Sequence, residues 1–201
     1  MKVRALGRVA YEPAWRAMQA FNAARGAHSE DELWLLEHAP VYTLGLAGRP
    51  EHVLAAGAIP VVKTDRGGQV TYHGPGQAVA YAMLDLRRRG LGAKALVNRL
   101  EAAAIAVCAA HGVAASRRAG MPGVYVGGAK IAAVGLRIAR GCSYHGIALN
   151  ADVDLEPFSR IDPCGYSGLA CTRLADHGVR DSIESLQAQL AEALERCLTA
   201  N

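Results

Sequence analysis

The chain has 201 residues, 51% of them hydrophobic and 20% charged, with a formal net charge of +4 at pH 7. That balance argues against extended disorder, and the longest uncharged apolar stretch of the central region, residues 102–110, is far shorter than the ~20 residues a bilayer span requires. Mild charge with 5% aromatic residues gives little support for nucleic-acid binding and leaves room for an acidic protein partner.

In chain order, Trp15, Met18 and Phe21 recur at helical spacing, and Pro13 suits a first turn, so residues 11–27 are expected to form an amphipathic helix packed on a sheet. Residues 32–38 and 41–45 read as one interrupted strand or two, separated by Ala39-Pro40, and residues 59–64 as another short strand. Residues 78–86 form a continuous apolar run, as a buried central strand does. Arg87, Arg88 and Arg89 are expected to be a solvated face at its end. Leu96, Leu100, Ala103 and Val107 mark one face of a helix over residues 95–110, stopped by His111-Gly112. Residues 123–128, 130–138 and 143–150 look like successive antiparallel strands, and Leu186, Leu190, Leu194 and Leu198 give a terminal helix its stripe. The expected fold is α+β, with a mixed, mostly antiparallel sheet flanked by helices in one domain over residues 1–201.

Residues 65–77 run Asp65-Arg66-Gly67-Gly68-Gln69-Val70-Thr71-Tyr72-His73-Gly74-Pro75-Gly76-Gln77 between two apolar segments. Glycines let the backbone take positive φ and let a ligand lie close to the main chain, so a binding loop is the better reading, with a glycine-turned hairpin as the plain alternative. No lysine of the phosphate-binding kind follows it.

Five dispersed cysteines make no disulfide framework and suit a reducing compartment, and residues 1–8 carry positive charge without the apolar core of a signal peptide, so a cytoplasmic protein is expected. Cys164, Cys171 and His177 are too widely spaced for a CxxC-type zinc site, and no metal is expected. Cys108 and Cys197 fall on helical apolar stripes, Cys142 is expected to be structural, and Cys171 has no special local chemistry. Cys164 sits between Pro163 and Gly165, flanks that can fix a thiol and leave room for a substrate, although a turn cysteine with no task fits equally. A thiol nucleophile needs activation, for which His73, His145 and Lys130 are available. Lys130 opens an apolar strand: burial there would favour a neutral, proton-exchanging amine, while a strand-edge lysine in water is the commoner arrangement.

The loop of residues 65–77, together with Pro122-Gly123-Val124-Tyr125-Val126, Lys130-Ile131, Gly135-Leu136-Arg137, Gly141-Cys142-Ser143-Tyr144-His145-Gly146 and Pro163-Cys164-Gly165, closely resembles the octanoyltransferases of lipoate biosynthesis. The resemblance runs from Tyr11 to about Tyr166. It implies the fold of biotin and lipoate protein ligases, and transfer of an octanoyl group from acyl carrier protein to a lysine of the lipoyl domains of 2-oxoacid dehydrogenases or the glycine cleavage H protein. It also implies that Cys164 carries the acyl thioester and that Lys130 assists it. Substrate binding falls on Arg66, Gly67, Gly68, Gln69, Val70, Thr71, Tyr72 and His73, on Ala133, Val134 and Gly135, and on Gly146, Ile147 and Ala148. No ATP, metal or other cofactor is expected, and a monomer is the default. Two other classes are open: an ATP-dependent lipoate or biotin ligase of the same fold, in which Lys130 would serve the adenylate, and a noncatalytic module that binds lipoyl domains or acyl carriers.

Overall fold

A computed structural model of the chain describes residues 1–162 and 168–199, so Cys164 lies outside the described residues. Among them the strands are β1 (Lys2–Val9), β2 (Glu32–His38), β3 (Val41–Leu44), β4 (Val61–Lys63), β5 (Val70–His73), β6 (Gln77–Met83), β7 (Ser116–Arg118), β8 (Met121–Val126), β9 (Ala129–Ala139) and β10 (Cys142–Asn150). The helices are α1 (Tyr11–Ala24), α2 (Ala93–Ala110) and α3 (Ile183–Thr199). None of them is long and apolar enough to cross a membrane.

The larger sheet runs β1-β2-β6-β10-β9-β8-β7, and the smaller one β4-β3-β5. Only β1–β2 in the first and β3–β4 in the second are parallel, so the architecture is the expected α+β with a mostly antiparallel sheet. Strands β2, β6 and β10 are buried at every residue, which is why they read as apolar runs without alternation. Alternation still sorts their faces. Leu33, Leu35, Ala78, Ala80 and Ala82 pack with the apolar stripes of α2 and α3. Trp34, Leu36, Val79, Tyr81 and Met83 pack with Met18, Trp15 and Phe21 of α1. A third cluster joins Tyr42, Val70 and Tyr72 of the smaller sheet to Phe158 in the 3-10 turn Glu156–Arg160.

The structure departs from the sequence expectations in several places. Strand β1 was not foreseen because seven of its eight residues are exposed and no alternation marks it; parallel pairing to β2 and the ion pairs Arg4–Glu32 (2.8 Å) and Arg8–Glu37 (3.3 Å) hold it. Of the two alternatives for the segments around Ala39-Pro40, the two-strand one holds, and the strands lie in different sheets, the break carrying the chain from one to the other. Residues 65–77 are a loop only in part, since β5 lies within them and pairs His73 with Val41 of β3. The arginine run is the expected solvated face in that Arg87 and Arg88 are exposed and Arg89 is half-buried, but all three are also tethered. Arg88 and Arg89 join Arg25 on the buried carboxylate of Asp31 at 2.8, 2.6 and 2.5 Å, and Arg87 donates to the carbonyl of Arg140.

Candidate active site

The middle of the large sheet carries unusually small side chains on one face. Gly146 pairs with Tyr81 on one side and Gly135 on the other, and Ala148 pairs with Val79 and Ala133. Four adjoining positions no larger than a methyl group leave a trough over β9 and β10, and the cavity it forms measures about 390 Å³, within the range of small-molecule sites.

The loop ahead of β5 roofs this trough. Gly67 donates its N–H to the carbonyl of Leu136 at 2.8 Å, docking the loop on β9. The approach depends on glycine: a Cβ at Gly135 would meet Arg66 Cδ at 3.1 Å and the Gly67 carbonyl at 3.2 Å. Buried Arg66 ties the loop down by donating to the carbonyls of Thr43 (2.6 Å), Gln69 (2.8 Å) and Gly67 (3.0 Å).

Of the substrate-binding positions implied by the resemblance, all but Tyr72 line the cavity, as does Lys130. Tyr72 lies on the alternate face of β5, with ring centroids 5.5 Å from Tyr42 and 5.4 Å from Phe158. Tyr11, Gln77, Tyr81, Asn150 and Cys171 also line the cavity without having been singled out. Period-two alternation from Val79 would have found Gln77 and Tyr81; nothing local points to Cys171, which reaches the site through a parallel bridge to Lys130.

Lys130 is 5% exposed, which decides for the buried lysine over the strand-edge one. Its aim comes from a bulge. Val124 pairs with Ala132 and Tyr125 with Lys130, leaving Ile131 as an extra residue in β9. The ammonium nitrogen lies 5.4 Å from the Tyr125 ring centroid. Gly123, at φ 131°, forms the other wall, and a Cβ there would meet Lys130 Cε at 3.2 Å. Gly123 is in turn held by Glu101, a buried carboxylate of α2 that accepts its N–H at 2.8 Å and Arg117 Nε at 2.9 Å.

Rings of Tyr11, His38, His73, Tyr81 and His145 gather beside this floor. Tyr11 stacks on His73 at 6.0 Å, His38 meets His73 at 5.7 Å, and Tyr81 meets His145 at 5.9 Å. Burial lowers the pKa of all three histidines, to about 4 for His38, and raises that of Tyr81 well above the usual phenol value. His38 Nδ1 lies 3.0 Å from the carbonyl of Val9, which can only accept, so Nε2 accepts the Tyr81 hydroxyl proton at 2.6 Å. The cluster is therefore neutral and its hydrogen-bond directions are fixed. Among the described residues no group of His, Cys, Asp or Glu side chains could hold a metal ion.

This arrangement, a sheet whose small-residue trough is roofed by a glycine loop and ends beside a buried lysine, is built on the fold of the lipoate protein ligases. A bi-partite lipoate protein ligase of Thermoplasma acidophilum, described with its lipoyl domain, superposes with a TM-score of 0.77 over 100% of this chain and 85% of its own at 15% identity. Residues 10–195 match the lipoyl protein ligase A/B catalytic domain, and the chain belongs to that family. It is 63% identical over 196 residues to a protein named octanoyltransferase from Thiobacillus denitrificans, covering 98% of this chain and 90% of the relative. A second octanoyltransferase, from Aromatoleum aromaticum, is 60% identical over 196 residues, with 98% and 85% covered.

Proposed function

We propose that this protein is an octanoyltransferase that accepts an octanoyl group from acyl carrier protein on Cys164 and delivers it to a lysine of a lipoyl domain, with Lys130 assisting proton transfer. The carrying observation is the trough of Gly135, Ala133, Gly146 and Ala148 leading to buried Lys130. From Gly146 to Asn150 the strand advances by about 13 Å, long enough for an extended eight-carbon chain. The family, and the name borne by relatives more than half identical in sequence, support the same reading.

Chemically, the Cys164 thiolate attacks the thioester carbonyl of the donor, a new carbon–sulfur bond forms, and the donor thiolate leaves and takes up a proton. Exchange of one thioester for another is nearly isoenergetic, so the acyl-enzyme retains the energy for amide formation and no ATP enters. Lys130 serves as the proton partner of Cys164. Ala170 and Thr172, which follow Cys164 in sequence, bracket Lys130 through backbone hydrogen bonds of 2.8 and 3.0 Å. The incoming lysine attacks as the neutral amine and expels the Cys164 thiolate. The lining residues Arg66 to Thr71 and His73, Ala133 to Gly135, and Gly146 to Ala148 shape the slot for the acyl chain.

Incubation with octanoyl-acyl carrier protein, without ATP, is expected to add one octanoyl mass to the intact protein, and Cys164→Ala to remove that adduct. An adduct that survives in Cys164→Ala would overturn the thioester, and transfer that requires ATP and free octanoate would assign the chain to the ligases.

A further inference from the structure

We propose that the side-chain amides of Gln77 and Asn150 lock His73 in the tautomer bearing its proton on Nδ1, and that the Nε2 lone pair so presented takes the proton of the acceptor lysine as its amine attacks the acyl group. The second half of this statement rests on the acyl-transfer reading above; the first stands on geometry alone.

Two backbone carbonyls set every direction in the chain of hydrogen bonds. The carbonyl of Thr172 can only accept, so the Asn150 amide, 2.9 Å away, turns its nitrogen there and its oxygen toward Gln77. Gln77 is thereby committed: its nitrogen donates to Asn150 Oδ1 at 3.0 Å and to the carbonyl of Tyr72 at 3.2 Å. Its oxygen is left facing His73 Nδ1 at 3.0 Å, and an oxygen acceptor requires a proton on that nitrogen. The proton of the neutral ring is then spent, and Nε2 carries the lone pair. His73, Gln77 and Asn150 all line the cavity, and Nε2 has no hydrogen-bond partner among the described residues.

The surroundings keep the ring uncharged before reaction. Tyr11 of α1 stacks on it, His38 of β2 and His145 of β10 are neutral, and the nearby charge is the Arg66 guanidinium. Burial, then His38 and Arg66, push His73 well below the ordinary histidine value, against the small opposing effect of the Gln77 hydrogen bond. A carboxylate at position 77 would reverse this. An amide orients Nδ1–H while raising basicity far less than a carboxylate would, which is what a base needs if it is to be free of its proton when the amine arrives.

In the transfer step the amine nitrogen bonds to the carbonyl carbon, the carbon–sulfur bond breaks with its electron pair leaving on Cys164, and the amine proton moves to Nε2 and on to water. The same relay joins the histidine of β5 to the lysine strand, because Thr172 donates its N–H to the Lys130 carbonyl at 3.0 Å.

Nitrogen-15 correlation spectra of the unaltered protein near pH 7 are expected to show His73 Nδ1 protonated and Nε2 bare; the opposite tautomer, or an imidazolium, would overturn the lock. Acyl-enzyme formation from octanoyl-acyl carrier protein and transfer to a lipoyl domain are then followed separately against pH. Gln77→Glu should move the acid limb of the transfer step up by about one pH unit or more, because a carboxylate beside Nδ1–H raises the basicity of the ring. Gln77→Leu should slow transfer by at least about tenfold, and slow it more than acyl-enzyme formation. Transfer profiles that superpose on the unaltered enzyme, or equal slowing of both half-reactions, would overturn the role of His73. Failure of the unaltered protein to form any thioester, with the tautomer as expected, would instead overturn the acyl-transfer reading and leave the lock standing.

Discussion

His145 Nε2 donates to Asp65 Oδ1 at 3.0 Å across eighty residues of sequence, fastening the entrance of the glycine loop to β10 at the cavity. Asp65 also accepts from Trp15 at 2.7 Å, from Gln19 at 3.1 Å and from the Tyr144 hydroxyl. Burial opposes its ionisation, but these donors, His145 first among them, outweigh burial and hold the carboxyl well below the usual range. Burial likewise lowers the pKa of His145 more than Asp65 raises it, so the pair is a neutral imidazole on a carboxylate rather than two opposite charges. His145 holds this position at φ 62°, a left-handed conformation uncommon for a side-chain-bearing residue.

Asp65→Ala removes the acceptor of four donors at once, one of them on an almost wholly buried imidazole. Stranded donors cost more than the bonds are worth net, and a loss of about 2–4 kcal/mol is expected in urea unfolding. Asp65→Asn, which keeps one carbonyl oxygen, should lose less. A loss under about 1 kcal/mol for the alanine variant would mean that the contacts of Arg66 and Gly67 hold the loop without Asp65.

The neutral histidines set an acid limit on stability. His38 has a pKa of about 4 in the fold against about 6.5 in the unfolded chain, so below pH 6.5 the unfolded state binds a proton that the folded one refuses. Stability is therefore full above pH 6.5 and declines as pH falls toward 4, by roughly 3 kcal/mol for this residue. His73 and His145, lowered in the same direction, add to the slope. Asp65 contributes only at lower pH, since its depressed pKa keeps it ionised through this window. Stability measured between pH 4.5 and 6.5 should fall steeply for the unaltered chain, with a visibly shallower slope for His38→Gln; an unchanged slope would rule out His38 as a source.

How far the sequence foretold this depends on burial. Strands β2, β6 and β10 were readable because both faces are covered, and α2 and α3 because their stripes meet each other and the sheet. Strands β1 and β7 were not, since nearly all their residues are exposed and no apolar pattern marks them. Most of the proposed slot was legible through the resemblance, but Lys130 shows where pattern stops. Strict alternation would set it with Ala132 on the core face, and the extra residue Ile131 breaks that alternation. The His38–Tyr81 bond depends on the register that seats Trp34 opposite Tyr81, and no local motif encodes that register.

Gly123→Ala tests the wall behind Lys130. The backbone there sits at φ 131°, and a Cβ would meet the Ala132 carbonyl at 2.7 Å and Lys130 Cε at 3.2 Å. The backbone contact cannot yield without moving β8 from β9, while the lysine can yield only by leaving its place beside Tyr125. Destabilisation of about 2 kcal/mol is expected, with a larger fall in acyl-enzyme formation than stability alone explains at a temperature where the variant is folded. Near-normal acylation kinetics in the folded variant would show that the position of Lys130 does not matter to that step.

Glu101 is the anchor one step further out, and its two roles separate by substitution. Glu101→Gln keeps an oxygen for the Gly123 N–H but turns an amide nitrogen toward Arg117 Nε, losing that charge and hydrogen bond; the Arg117 side chain is 46% exposed and water replaces its partner, so the cost should stay under about 1 kcal/mol. Glu101→Ala leaves the buried N–H of Gly123 without its acceptor and should cost about 1–3 kcal/mol. Because Gly123 bears on Lys130, the alanine variant should also acylate more slowly than the glutamine variant, measured as initial rates with octanoyl-acyl carrier protein alongside denaturant midpoints. Equal damage from both substitutions would place the effect in the Arg117 charge pair instead of in the backbone that holds Lys130 in place.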